Sequence, residues 1–183
     1  MISIKSEREI ELMRIAGSIV GDTHKYLQKY IKPGITTAEL DELAYNYIIS
    51  RNATPSFKGY EGFHGTICAS INEEVVHGIP GKTKLREGDI ISIDIGACYK
   101  GYHGDSAWTY PVGKISKQKQ DLLKHTEESL FAGLSVIKEG ARIGDIGYAV
   151  SSVANKYHLG VVKELVGHGV GTSVHEAPDV PNY

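Results

Sequence analysis

Apolar side chains recur at intervals of three and four along the first fifty residues. Leu12, Ile15, Ala16, Ile19, Thr23, Tyr26, Leu27 and Tyr30 form one such stripe, the signature of an amphipathic helix with one buried face. Ser6 followed by Glu9 supplies a capping box at its start, and Lys32-Pro33-Gly34 ends it. Thr36 with Glu39 opens a second helix, which carries Leu40, Leu43, Ala44, Tyr47 and Ile48. Between about Ala53 and Val112 the pattern changes to short β-like segments broken by glycines. These are Gly65–Ile71, Glu74–His77, and a longer pair from Ile90 to Cys98 and Tyr102 to Tyr110. A third helix fits Lys117 to Ile137, with Leu122, Leu123, Leu130, Leu134 and Ile137, and a fourth fits Ile143 to Tyr157. Val161–Val166 again reads as a strand.

The longer pair carries the first chemistry. Ile91, Ile93 and Ile95 alternate with Ser92, Asp94 and Gly96, so one face is apolar and the other polar. A tight reversal around Tyr99 and Lys100 would set residues whose numbers sum to 199 opposite each other, and Asp94 would face Asp105. Directly opposed side chains have Cβ atoms ~5 Å apart, and like charges there are destabilising. A shared proton or a bound cation removes that penalty. A different register would instead leave both aspartates solvated at a loop. His103 shares the face of Asp105 in this register, so spacing alone makes it a rival ligand.

The helices contain a faint repeat. Ile31-Lys32-Pro33-Gly34 and Ile137-Lys138-Glu139-Gly140, 106 residues apart, each precede a helix. If the duplication is real, each half is two helices followed by strands, and the second half stops partway through its sheet. Lys and Gly are also common near helix ends, so chance resemblance is the competing account.

Composition narrows the classes. A net charge of -2 over 183 residues gives no electrostatic case for nucleic acid or an anionic membrane surface. Cys68 and Cys98 sit in apolar, strand-like surroundings and read as free thiols in a reducing compartment. No stretch approaches the ~18 apolar residues of a membrane span. The expectation is a soluble, cytoplasmic protein.

Histidines supply the remaining candidates. Gly167-His168-Gly169-Val170-Gly171-Thr172-Ser173-Val174-His175-Glu176-Ala177-Pro178 is too rich in glycine for a stable helix. Glycine suits backbone that comes close to a ligand, and imidazoles beside it suit metal binding or acid-base work. Alone, the same stretch equally describes a glycine-rich loop with incidental histidines. His77, in Val75-Val76-His77-Gly78-Ile79-Pro80, reads alone as a structural residue at a strand end.

Taken in order, Asn72–Pro80, Asp94 with Gly101-Tyr102-His103-Gly104-Asp105, and Gly167–Gly171 with His175-Glu176-Ala177-Pro178 are specific. The chain resembles the type I methionine aminopeptidases over essentially all of its 183 residues. The resemblance implies the pita-bread α/β (α+β) fold, a pseudo-two-fold repeat of helices and antiparallel sheet. It implies one catalytic domain over 1–183, with a first half 1–112 and a partial second half 113–183. It implies two divalent metal ions held by two aspartates, one histidine and two glutamates. By motif, Asp94 ligates one ion, Asp105 bridges both, and His168 is the imidazole ligand of the other. A mostly carboxylate shell suits manganese, iron, cobalt or zinc. His77 and His175 take the role of hydrogen-bonding the substrate around the scissile peptide, and His103 becomes a supporting residue. Tyr60, Phe63 and Cys68 match positions lining the methionine pocket, where rings and a soft thiol suit a thioether. By composition alone Phe63 and Cys68 read as core residues. His24, His64, His125 and His158 match no motif.

The family's two glutamate ligands match no position in the chain. The resemblance therefore implies an incomplete dinuclear site, exposed apolar surface, weak metal binding and little or no activity for the 183 residues alone. The implied partners are nascent polypeptide N-termini, at the ribosome, with no nucleic acid or membrane partner and a monomeric state. Two other readings compete: an Xaa-Pro aminopeptidase or prolidase, and a pita-bread binding module without catalysis.

Overall fold

In the computed structural model, which describes residues 2–183, the chain forms two compact units. The larger comprises 3–115 and 170–175; the smaller comprises residue 2, 116–169 and 176–183.

In the larger unit, helix α1 (Glu7–Gln28) begins with both bonds of the capping box. Glu9 N–H donates to Ser6 Oγ, and Ser6 N–H donates to Glu9 Oε2 at 2.7 Å. Helix α2 (Thr37–Ser50) starts in the same way from Thr36 and Glu39. Each cap satisfies amide donors that a helix start leaves unpaired. α1 stops at Gln28, so Tyr30 lies in the following turn and not in the helix, and Pro33 plays no part in ending it.

The sheet is built on β3 (Ile90–Tyr99). β2 (Ile67–Ile71) and the two-residue β1 (Thr54–Pro55) pair along one flank, and β4 (Tyr102–Pro111) along the other, all antiparallel. Ile91, Ile93, Ile95 and Ala97 are fully buried, in one cluster with Ile19, Val20, Leu27, Leu40, Ala44 and Ile48 of the two helices. Burying each large aliphatic contributes ~1.5–3 kcal/mol. The other face carries Cys68, Ser70, Ser92, Asp94, Gly96, His103, Asp105 and Thr109, as the alternating pattern requires.

The hairpin register differs from the sequence expectation by two residues. Tyr99 pairs with Tyr102, the turn is Lys100-Gly101, and paired numbers sum to 201. Both turn residues have positive φ, +49° at Lys100 and +85° at Gly101. That is the primed two-residue turn that matches strand twist, and glycine tolerates its second position without strain. A reversal centred on Tyr99 and Lys100 would have forced the bulky Tyr99 into that region. Asp94 therefore pairs with Ala107, and Asp105 with Gly96. An even shift keeps both carboxyls on one face as diagonal neighbours.

In the smaller unit, α3 (Lys117–Ser135) and α4 (Ile143–Lys156) pack closely at Gly133, where an added Cβ would lie 2.9 Å from Val150 Cγ2. His125 stacks on Tyr157 at 3.4 Å. β5 (Gly167–Gly169) pairs with β6 (Glu176–Val180) with an irregularity after His168. Leu122, Leu130, Phe131, Leu134, Ile137 and Tyr148 are exposed.

Two expected strands are loops. Residues 74–77 follow a turn in which Ile71 N–H donates to the Glu74 carboxylate and Glu74 N–H to the Ile71 carbonyl. Residues 161–166 leave Val162, Leu165 and Val166 exposed, and pairing begins only at Gly167. α3 ends at Ser135 and α4 at Lys156, slightly short of the expected bounds. Among the described residues, no helix is long and apolar enough to cross a membrane.

Candidate active site

The polar face of the sheet gathers the candidates that lie in the larger unit. Asp94 comes from the middle of β3 and Asp105 from β4, one diagonal step away. Burial first, then the charge of Asp94 and a hydrogen bond with it, push the Asp105 carboxyl up to about 8. Two carboxyls placed so closely cannot both ionise cheaply in a site with little water. They share a proton, or they share a cation. Four carboxyl oxygens converging from two adjacent strands are the donor set that hard and borderline divalent ions take. The pair fits a divalent metal ion for this reason. Among the described residues, no three His, Cys, Asp or Glu side chains gather into a larger cluster.

A second, smaller apolar cluster begins across the neighbouring strand. Cys68 pairs with Asp94 across β2 and β3. Its side chain joins Phe57, Phe63 and Val174 in a small cluster separate from the main core. Burial, then the charges of Asp94, Asp105 and Asp41, push the Cys68 thiol up to about 12, so it stays a neutral, soft group. Phe57 and Ser56 pack over Gly96, where an added Cβ would lie 2.7 Å from each. Glycine is required there because the cluster presses on the strand opposite Asp105.

His175 follows the buried Val174 and is itself exposed. Its Nδ1 lies 3.1 Å from the Tyr60 hydroxyl, with ring centroids 5.4 Å apart. The segment that carries it is fixed to the hairpin, because His103 N–H donates to the Gly171 carbonyl at 2.8 Å. The expected trio of Tyr60, Phe63 and Cys68 is thus joined, Phe63 and Cys68 through the apolar cluster and Tyr60 through His175.

His77 sits in the exposed loop after β2 with φ of +59°. The loop is held over the same face: Gly78 N–H donates to Ser70 Oγ at 3.1 Å, and Ala69 N–H donates to the Gly78 carbonyl at 2.8 Å. His103 keeps its Nδ1 2.8 Å from Ser56 Oγ, next to Phe57 of the apolar cluster. His168 stands on β5 of the smaller unit, its Nδ1 2.9 Å from the Gly169 carbonyl.

The sequence reading missed Phe57 and Val174. Neither belongs to a motif. The one available signal for Val174 was its place between exposed polar neighbours, immediately before a candidate histidine.

The profile of metallopeptidase family M24 matches residues 11–183. The chain belongs to this family. Methionine aminopeptidase 1 of Bacillus subtilis is 56% identical over 183 residues, covering 100% of this chain and 74% of the relative. The crystal structure of methionine aminopeptidase from Rickettsia prowazekii superposes with a TM-score of 0.98 at 39% identity, over 100% of this chain and 74% of that one. That from Thermotoga maritima gives 0.97 at 41%, with the same coverage. Prolidases and Xaa-Pro peptidases of known structure reach 0.82 to 0.85 at 21 to 24% identity, which shows a shared fold. Within family M24 the chain therefore stands with the methionine aminopeptidases. Membership makes it a metal-dependent hydrolase.

Proposed function

We propose that this protein hydrolyses the first peptide bond of polypeptides that begin with methionine, with the acid pair as part of a dinuclear metal centre. The supporting observation is the juxtaposition of Asp94 and Cys68 on paired strands, which puts carboxyl oxygens beside a buried apolar cluster. A lining of Phe57, Phe63, Val174 and a neutral thiol suits the unbranched, polarisable thioether of methionine, for which sulfur–ring contacts are favourable by ~0.3–1.5 kcal/mol.

Asp94 and Asp105 would hold divalent ions (manganese, iron, cobalt or zinc), whose positive charge would offset the burial and the Asp94 charge that keep the Asp105 carboxyl protonated. Such ions, when bound, supply hydroxide at neutral pH and polarise the substrate carbonyl. His77 and His175 flank the polar face and donate hydrogen bonds to the scissile peptide as negative charge develops on its oxygen. One donor of that kind is typically worth ~3 kcal/mol of barrier. The Tyr60 hydroxyl orients the His175 ring through Nδ1. The assignment of His168 as a metal ligand rests on its Gly-His-Gly motif. Newly made polypeptide N-termini are the natural substrates of this chemistry, and the two free thiols suit the cytoplasm.

The test uses protein that also carries the two glutamate ligands that match no position in these 183 residues, for which little activity is expected alone. It pits a Met-Ala peptide against an Ala-Pro peptide with added manganese. Release of methionine from the first alone, abolished in Asp105→Asn, is the expected result. Preference for the Xaa-Pro peptide, or activity that survives Asp105→Asn, would overturn the reading.

A further inference from the structure

His24 is a buried titratable side chain that the chemistry above leaves unused. It projects from α1, which packs on the face of the sheet opposite the acid pair, and only 8% of it is exposed. Nε2 lies 3.0 Å from the Ser106 carbonyl oxygen, and Nδ1 lies 3.0 Å from the Tyr110 hydroxyl. A carbonyl oxygen can only accept, so Nε2 carries the ring proton and the phenol donates to Nδ1. Burial holds the imidazole below its ordinary range and pushes the Tyr110 phenol up to about 12. Both groups are neutral; the phenol proton lies nearest Nδ1 at 3.0 Å, with the His24 carbonyl oxygen a longer acceptor at 3.4 Å.

Ser106 is the residue after Asp105. The residue before it, Gly104, abuts the backbone of Ala16 and Gly17, where an added Cβ would lie 2.6 Å from Gly17 N. α1 therefore grips β4 on both sides of Asp105, by close backbone contact at Gly104 and by the His24 hydrogen bond at Ser106.

We propose that His24 is a positioning residue for the acid pair: through the Ser106 carbonyl it fixes the β4 backbone and holds the Asp105 carboxyl beside Asp94 at the spacing a divalent ion needs. The inference rests on the metal-binding reading of Asp94 and Asp105 given above. Ligands must be held to within ~0.5 Å for tight binding, and residues that orient ligands from behind alter metal affinity ~10–100-fold.

The test titrates Mn2+ alone, by calorimetry at a temperature where every variant is folded, with Tm recorded for each. Asp105→Asn should abolish binding. His24→Leu should weaken it about tenfold or more, while His24→Gln, whose amide nitrogen can take the place of Nε2, should recover most of the affinity. Val20→Ala, a buried change on the same helix, should lower Tm and leave the affinity unchanged. Wild-type affinity in His24→Leu, or equal weakening by Val20→Ala, overturns the inference. If His24→Leu does not fold, Tyr110→Phe carries the test by removing the donor to Nδ1; it should weaken Mn2+ binding, and unchanged affinity overturns the inference. Failure of the underlying reading looks different: wild type takes up no Mn2+, or Asp105→Asn binds as tightly as wild type, and both readings then fall.

Discussion

Asp105 is where burial, charge and pairing meet, and its titration should be visible in the whole protein. Its carboxyl rises from an ordinary 3.8 to about 8 in the folded chain. Between those values the folded state binds a proton that the unfolded state has lost. The contribution to stability is therefore full below about pH 4, declines as pH rises through the window, and is gone above about pH 8. Metal-free protein should lose Tm across that range, and Asp105→Asn should flatten the slope. Thermal unfolding in a chelator at a series of pH values checks this; a slope identical in both proteins would contradict it. Cys68 gives a second residue-scale prediction. Thiolate is the reactive form, and a thiol pushed up to about 12 in a buried cluster should resist alkylation at neutral pH. Peptide mapping after iodoacetamide should find Cys68 unmodified in the folded protein and modified once unfolded.

At the scale of elements, what could be read from sequence was what local chemistry decides. The capping boxes at Ser6 and Thr36 depend on residues three apart, and both form. The repeat offset of 106 residues also reappears. α2 and α4 start at Thr37 and Ile143, the preceding Gly34 and Gly140 both have positive φ, and Arg142 N–H meets the Asp145 carboxylate as Thr36 meets Glu39. What could not be read depended on a partner. Val75 and Val76 look like strand residues, yet they follow a turn fixed by Glu74, and Val161–Val166 has the right side chains without a ladder. The hairpin register slipped by two because turn chemistry at Lys100-Gly101, and not the apolar pattern, places the reversal. The face assignment survived because two is the period of a strand. Gly104→Ala should test the α1–β4 contact: a methyl driven against Gly17 costs ~1–3 kcal/mol. Thr36→Ala should cost ~1 kcal/mol through the lost cap. Urea unfolding of both variants reads these values, and a neutral Gly104→Ala would show that the helix can retreat from the strand.

For the whole molecule, family membership and site geometry point the same way. The motifs singled out Asp94, Asp105, His77 and His175, because each stands in a run of unusual residues. The apolar cluster beside Asp94 was half legible: Phe63 and Cys68 matched motif positions, but Phe57 and Val174 arrive from distant segments and carry no local mark. Specificity for methionine should live in that cluster. Phe63→Ala should reduce binding of a Met-Ala peptide by ~1 kcal/mol or more through lost ring contacts, while leaving Mn2+ affinity intact because the aspartates do not move. Calorimetry with each ligand separates the two effects.

The central claim is that Asp94 and Asp105 together hold a divalent ion beside a buried apolar cluster. Anomalous diffraction from crystals soaked in manganese addresses it directly. The account predicts a manganese peak bonded to carboxyl oxygens of both aspartates, on the Cys68 side of the sheet. Manganese bound elsewhere, or to neither aspartate, would contradict it.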